Sequence, residues 1–358
     1  MSTAPVVTIG GSAGALEPLV ALVAHLPADL PAAVLVVVHV SPDHPSHLPD
    51  ILSRSGPLPA RHARHGDLVE AGRIYVAPPD HHLLLAHDHL RLSRGPKENR
   101  SRPSIDVLMR SAAYTRGADV IGVLLSGMLD DGTSGLWTVK RAGGQALVQH
   151  PEDAAFPSMP LSAIRAVSVD AILPTGKLAP ELTRLVTTPP HPRKRSDMND
   201  EDRRRLELEV GIADGGNAFE SGLLDHGTPS TFTCPECHGV LVGVREGPVT
   251  RFRCHTGHAY TAQTLLSELR GSIEAGLWNA VRALDEDVML LEHLGRHFEE
   301  ADQPELARAY REEAREAKER ARGVRQSALR AGQIGHDRRP ALTRDPRHGE
   351  RTAAHELE

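Results

Sequence analysis

The feature that most constrains this chain is a regular alternation, over about its first 185 residues, of short apolar runs with amphipathic stretches. Val6–Ile9, Val34–Val38, Ile74–Ala77, Val120–Leu125 and Ala146–Val148 are too short for core helices and mostly rich in β-branched residues, which reads as buried strands. Between them, Leu16–Leu26, Ser104–Ala113, Ser134–Ala142 and Pro160–Ala166 carry apolar residues at helical spacing. The fold class expected is α/β: a mostly parallel, doubly wound sheet with helices on both faces. His81–Leu92 reads instead as a hairpin or antiparallel edge. Aromatic residues make up only 3% of the chain, so the core must be built from Val, Leu, Ile and Ala. In open sheets of this kind, ligands bind beyond the carboxyl ends of the strands.

Past residue 186 the pattern changes. Residues 186–228 mix Pro with dense charge and read as a linker, with one short amphipathic stretch near Leu206–Ile212. Residues 229–262 hold all three cysteines and form a small zinc-knuckle module. Residues 263–330 repeat Leu265, Leu269, Ile273, Leu277, Val281, Leu284, Val288 and Leu291 at intervals of three or four. The break at Asp302-Gln303-Pro304 makes them a helical hairpin, whose apolar face packs internally or docks a signalling partner. Residues 331–358 read as disordered.

At 358 residues the chain exceeds a single compact core and is expected to form two or three domains. A net charge of −6 without a basic stripe gives no electrostatic case for nucleic acid. No run reaches the roughly 18 apolar residues of a membrane span, and the N-terminus lacks the basic and apolar regions of a secretory signal. Three cysteines cannot complete a disulfide framework, which points to a reducing compartment, the cytoplasm, and to a metal.

Three strand ends carry chemistry. Val6–Ile9 runs into Gly10-Gly11-Ser12-Ala13-Gly14 and then a helix, a G-x-S-x-G turn in the strand–turn–helix setting of a nucleophile elbow. The rival reading is a phosphate-cradling turn, but G-x-G-x-x-G is not met. Val34–Val38 ends at His39, one strand away, where a base can take the serine proton. Val120–Leu125 ends in Ser126-Gly127-Met128-Leu129-Asp130-Asp131-Gly132, whose carboxylates could orient the imidazole or cap the next helix. The residues alone leave Asp130 and Asp131 equivalent.

Farther along, Cys234-Pro-Glu-Cys237 and Cys254-His255-Thr256-Gly257-His258 are separated by sixteen residues. Two thiolates from one turn, with Cys254 and His258 from a second, make a closed Cys₃His set, with His255 the rival fourth ligand. Thiolate and imidazole together suit zinc in a structural role, against the alternatives of a redox dithiol or a chance C-x-x-C. Catalysis itself calls for no cofactor.

Taken together, IGGSAG, VVVHVSP and LLSGMLDDGTSG, with NRSRPSIDVLMRS before the last, resemble the catalytic domain of protein-glutamate methylesterases of the CheB family over about residues 5–183. The resemblance implies a Ser–His–Asp triad of Ser12, His39 and Asp131, selects Asp131 over Asp130, and makes the Met128 backbone N–H an oxyanion donor. It also implies methylated chemoreceptor-type proteins as substrates, with deamidation of receptor glutamines in many members. Two departures bear on substrate preference and control. The family's A-S-T-G-G turn reads Gly11-Ser12-Ala13-Gly14-Ala15, without the Thr hydroxyl. The family's usual N-terminal receiver domain is not expected, because the sequence opens on the first catalytic strand. Arg100 and Arg102 precede Pro103, where they would shape the cleft or face solvent. FTCPEC…RFRCHTGHAY resembles C-terminal extensions of some stand-alone members. A small-molecule carboxylesterase and a non-catalytic signalling scaffold are the alternatives.

Overall fold

The computed structural model describes residues 4–188, 196 and 198–337, which divide into two compact units at 266/267. Chain order in the first begins β1 (Val6–Gly11), α1 (Leu16–Ala24), β2 (Ala33–Val38), α2 (Leu48–Ser55), β3 (Ala60–His62), β4 (Ile74–Val76). There follow the hairpin β5 (His82–Ala86) and β6 (His89–Ser93), α3 (Ile105–Arg116), β7 (Val120–Leu124), α4 (Thr133–Arg141), β8 (Gln145–Gln149), α5 (Ser158–Ala166), β9 (Ala171–Leu173) and α6 (Thr175–Thr187).

Seven strands form one parallel sheet in the order β3-β4-β2-β1-β7-β8-β9. Alternation decides which face each residue meets. Val6, Leu35, Val37 and Val120 point to the layer holding α3, α4 and α5, while Val7, Ile9, Val34 and Val36 point to α1, α2 and α6. Filling both faces is why the strand sequences are continuously apolar rather than alternating. The chain runs from β1 to β2 and on to β3 at the edge, fills the gap with β4, then crosses to the other side of β1 at β7. The crevice between the carboxyl ends of β1 and β7 is therefore the topological switch point, where this fold class places ligands.

The stretch read as a linker contributes a helix, α7 (Asp200–Ala213), opened by a capping box between Asn199 and Asp202. Residues 189–195 and 197 of that stretch lie outside the described residues. The cysteine segment is a four-stranded antiparallel sheet of β10 (Thr228–Thr233), β11 (Val240–Glu246), β12 (Val249–Cys254) and β13 (Ala259–Thr261).

It joins the parallel domain through charge and backbone. Glu98, buried completely, pairs with Arg110 of α3 and with Arg251 and Arg253 of β12. Glu209 of α7 pairs with Arg251 and Arg253, and Glu246 with Arg251. The three carboxylates balance the three guanidiniums, which is how six buried charges are tolerated together. Burial pushes the Glu98 carboxyl up, but the charges of Arg110, Arg253 and Arg251 outweigh it and hold the group well below the usual range.

Two long helices follow, α8 (Ala262–Glu300) and α9 (Pro304–Asp337), broken at Asp302, where φ is +56°. The second compact unit begins within α8 and is described by itself. Its internal contacts include the stacked rings of Phe298 and Tyr310 and the Arg325–Asp285 ion pair at 2.6 Å. Of the tail read as disordered, residues up to 337 continue α9 and residues 338–358 lie outside the described residues. Among the described residues no helix is long and apolar enough to cross a membrane.

Candidate active site

Ser12 is the first residue beyond β1, and His39 the first beyond β2. The Gly11↔Val38 register sets them side by side, and the His39 N–H donates to the Gly11 carbonyl at 3.2 Å. The serine turn is pinned to the loop after β7: the Ser12 N–H donates to the Ser126 carbonyl at 3.0 Å. The Ser126 hydroxyl in turn donates to the Ala13 carbonyl at 2.8 Å and accepts from the Phe156 N–H at 2.9 Å. Gly14 completes the turn with φ +71°, and a Cβ there would stand 2.8 Å from Ala155 Cβ. No side chain other than hydrogen satisfies both conditions.

His39 lies between two partners. Its Nδ1 is 3.2 Å from Ser12 Oγ and its Nε2 is 2.8 Å from Asp131 Oδ2. An ionised Asp131 can only accept, so Nε2 carries the proton and Nδ1 turns a lone pair to the serine hydroxyl. A hydroxyl whose proton can pass to such an imidazole is an activated nucleophile.

Asp131 is buried and surrounded by donors. Its Oδ1 accepts from Asn99 Nδ2 at 3.0 Å, Ser104 Oγ at 2.9 Å and the Asp106 N–H at 3.4 Å. Its Oδ2 also accepts the Ile105 N–H at 2.7 Å, so the carboxylate sits on the N-terminus of α3. Burial pushes the carboxyl up, but the hydrogen bond and charge of His39, the Asn99 amide and the Ile105 N–H outweigh it and bring it down to about 2.

Adjacent Asp130 has a different environment. Its Oδ1 accepts from the hydroxyls of Thr261 and Thr264 at 2.7 and 3.1 Å, and burial raises it to about 6. Neither aspartate caps α4, whose N-cap is Gly132. Asp106 is pushed well above the ordinary carboxylate range, first by burial and then by the charge of Asp131. Its Oδ1 accepts the N–H groups of Gly132 and Gly135 at 3.0 and 2.6 Å, which fixes the start of α4.

Met128 lies in the loop between β7 and α4 with its side chain largely exposed. Gly127 before it permits close approach, since a Cβ there would stand 3.1 Å from Ser12 Cβ. Arg102 bonds Asp80 Oδ1 through Nε and Nη2 at 2.9 and 2.7 Å and the Arg94 and Gly95 carbonyls through Nη1. Arg100 is exposed in the left-handed region, with φ +67°.

Asn99, Ser104 and Asp106 stand in the NRSRPSIDVLMRS motif, where the sequence alone gives them no role; the one signal is that Ser104 and Asp106 are polar residues at a helix start ahead of the apolar run Val107–Met109.

A second cluster sits in the antiparallel sheet. One ligand atom each from Cys234, Cys237, Cys254 and His258 lie within 4.8 Å of one another. The Cys237–Cys254 Sγ separation is 3.5 Å, and His258 Nδ1 is 3.8 Å from Cys234 Sγ and 3.6 Å from Cys254 Sγ. A tetrahedral ion with bonds of about 2.0–2.3 Å has edges of roughly 3.5–3.8 Å, so the donor set fits zinc in size and chemistry. The ring in the cluster is that of His258, while His255 lines a neighbouring surface cleft with Thr256 and Pro96. His258 Nε2 faces Glu236 Oε2 at 3.4 Å, the carboxylate partner that orients a ligating imidazole.

The model of the family described as CheB methylesterase matches residues 7–182. A protein-glutamate methylesterase/protein-glutamine glutaminase 2 of Methanosarcina mazei is 35% identical over 189 residues, 51% of this chain and 52% of that one. One of the same name from Anaeromyxobacter dehalogenans is 39% identical over 180 residues, covering 50% of this chain and 53% of that one. The chain thus spans about half the length of the curated relatives it matches. The crystal structure of the Thermotoga maritima CheB methylesterase catalytic domain superposes with a TM-score of 0.50 at 32% identity, covering 51% of this chain and all of that one. Through residues 7–182, the chain belongs to the CheB methylesterase family.

Proposed function

We propose that this chain is a serine-type protein-glutamate methylesterase, acting on methylated chemoreceptor-type proteins in the cytoplasm through Ser12, His39 and Asp131. The observation that carries this reading is the single imidazole bridging a serine and a buried carboxylate at the ends of three parallel strands. Ser12 Oγ attacks the carbonyl carbon of a glutamyl methyl ester as His39 Nδ1 takes its proton. The Met128 N–H binds the oxyanion, a donor worth about a hundred- to thousandfold in rate. The tetrahedral intermediate expels methoxide, which takes the proton from His39 and leaves as methanol. Water then attacks the acyl-enzyme with His39 again as base, the serine recovers its proton, and free glutamate departs. Asp131 stays ionised throughout and stabilises the imidazolium. On a glutamine side chain the same steps release ammonia, and the relatives named above carry both activities in their names.

Cys234, Cys237, Cys254 and His258 would hold a structural zinc. Four protein ligands close its coordination, so it cross-links the knuckle and leaves the ester chemistry to the triad. A reducing compartment keeps such thiolates available.

The test is methanol release from methylated chemoreceptor cytoplasmic fragments, wild type against Ser12→Ala. Release by wild type that vanishes in the variant is expected. Turnover of simple esters with no release from receptor would support a small-molecule carboxylesterase instead, and no turnover of either would leave a scaffold.

A further inference from the structure

The cysteine sheet reaches the triad. Residues 97–99 run alongside β13 as an added edge: the Ala259 N–H donates to the Lys97 carbonyl at 3.2 Å, and the Asn99 N–H donates to the Ala259 carbonyl at 2.8 Å. The Thr261 N–H donates to Asn99 Oδ1 at 2.9 Å. With its oxygen held there, the Asn99 amide must direct Nδ2 the opposite way, where it donates to Asp131 Oδ1 and to Asp106 Oδ2, both at 3.0 Å. Asn99 is itself buried and held at φ +49°, a left-handed conformation that its surroundings must impose.

The imposing element starts at the metal knuckle. Cys254 ends β12, and the chain turns through Gly257 at φ +99°, where the Cys254 N–H donates to the His258 carbonyl at 3.0 Å. Ala259, the first residue of β13, directly follows His258. Cys254 and His258 thus flank the end of the β12–β13 ladder, whose pairs are Arg251↔Thr261, Phe252↔Tyr260 and Arg253↔Ala259, and an ion held by both would clamp that end.

We propose that the cysteine module is a working part of the esterase site: its metal-bound knuckle fixes β13, β13 fixes the Asn99 amide, and Asn99 is a positioning residue that holds Asp131 against His39. This rests on the esterase reading. Loss of the ion by chelation would then slow the chemistry at Ser12 from outside the parallel domain. A hydrogen bond to a buried carboxylate is worth about ten- to a hundredfold, and losing Asn99 or the ion should each cost about that.

The experiment uses the full chain loaded with zinc and follows the rate at which a fluorophosphonate labels Ser12, a reaction that needs the triad but no methylated protein. Wild type and Asn99→Ala are each measured before and after zinc is stripped by a chelator, with zinc content by mass spectrometry and folding by circular dichroism. Stripping should slow wild-type labelling about ten- to a hundredfold, and zinc re-addition should restore it. Asn99→Ala should be slowed as much while keeping one zinc per chain, and stripping it should then cost little more. That non-additivity marks two perturbations of one path, which general loosening would not produce.

Amide hydrogen exchange on wild type alone gives a second measure: stripping should deprotect the Asn99 and Thr261 amides. Equal labelling with and without zinc, losses that multiply in full, or unchanged exchange at these amides would overturn the coupling. Zinc-loaded wild type that never labels would overturn the esterase reading, and the inference with it.

Discussion

Asp131→Asn tests the proposed site most sharply, because it changes little in volume and much in proton placement. The carboxylate accepts from five donors: His39 Nε2, the Ile105 and Asp106 N–H groups, the Ser104 hydroxyl and Asn99 Nδ2. An amide has one accepting oxygen, so one of its two positions must face existing donors with N–H bonds of its own. Three donors converge on Oδ1 and two on Oδ2, so the amide nitrogen conflicts least at Oδ2, opposite His39 and the Ile105 N–H. There it donates to Nε2, which forces the His39 proton onto Nδ1. The imidazole then presents N–H to Ser12 Oγ where a lone pair is needed. A triad locked in the wrong tautomer loses about ten-thousandfold in kcat, which at 1.36 kcal/mol per decade is roughly 5 kcal/mol of transition-state stabilisation. The assay is kcat for ester hydrolysis alongside thermal melting, so that loss of fold is read separately. A folded Asp131→Asn protein keeping more than about a tenth of wild-type kcat would refute the assigned tautomer and the role of Asp131.

Other perturbations follow from the same geometry. Asp130 rises from 3.8 to about 6 on folding, so between those pH values the native chain holds a proton that the unfolded chain has released. Its contribution to stability is therefore lost as pH rises from about 4 through 6, by roughly 3 kcal/mol, and urea unfolding of Asp130→Asn should lack that slope. Asp131 runs the other way: depressed from 3.8 to about 2, its contribution is lost as pH falls from about 4 to 2, by roughly 2 kcal/mol, seen as steeper acid unfolding than in Asp131→Asn. Glu98→Gln leaves Arg110, Arg251 and Arg253 short of a shared carboxylate and should cost about 3–5 kcal/mol in urea unfolding; a cost under about 1 would mean the charges rearrange freely. Gly127→Ala sets a methyl 2.6 Å from Met159 Cε and 3.1 Å from Ser12 Cβ; overpacking should cost about 1–3 kcal/mol, and kcat should fall more than about tenfold. Unchanged kcat would show that the loop yields.

The parallel sheet was legible from the residues alone, because strands buried on both faces must be continuously apolar and the turns between them are marked by Gly and helical periodicity. It also located Ser12 and His39, each directly after such a run, where this fold class exposes working residues. It left β3 and β9 unread, since three residues are too few to show a period, and α6, whose helical pattern carries Pro180 inside it.

How neighbouring, chemically identical residues are divided emerges only when the chain is folded. Asp130 and Asp131 differ by one position, yet one faces the hydroxyls of Thr261, which ends β13, and Thr264, in the first turn of α8, and the other the N-terminus of α3 and His39. Asn99 likewise gains its place from Thr261, 162 residues away in the chain. Local sequence records propensity and period, whereas a buried polar group takes its role from partners brought to it across the fold, and those partners leave no periodic trace.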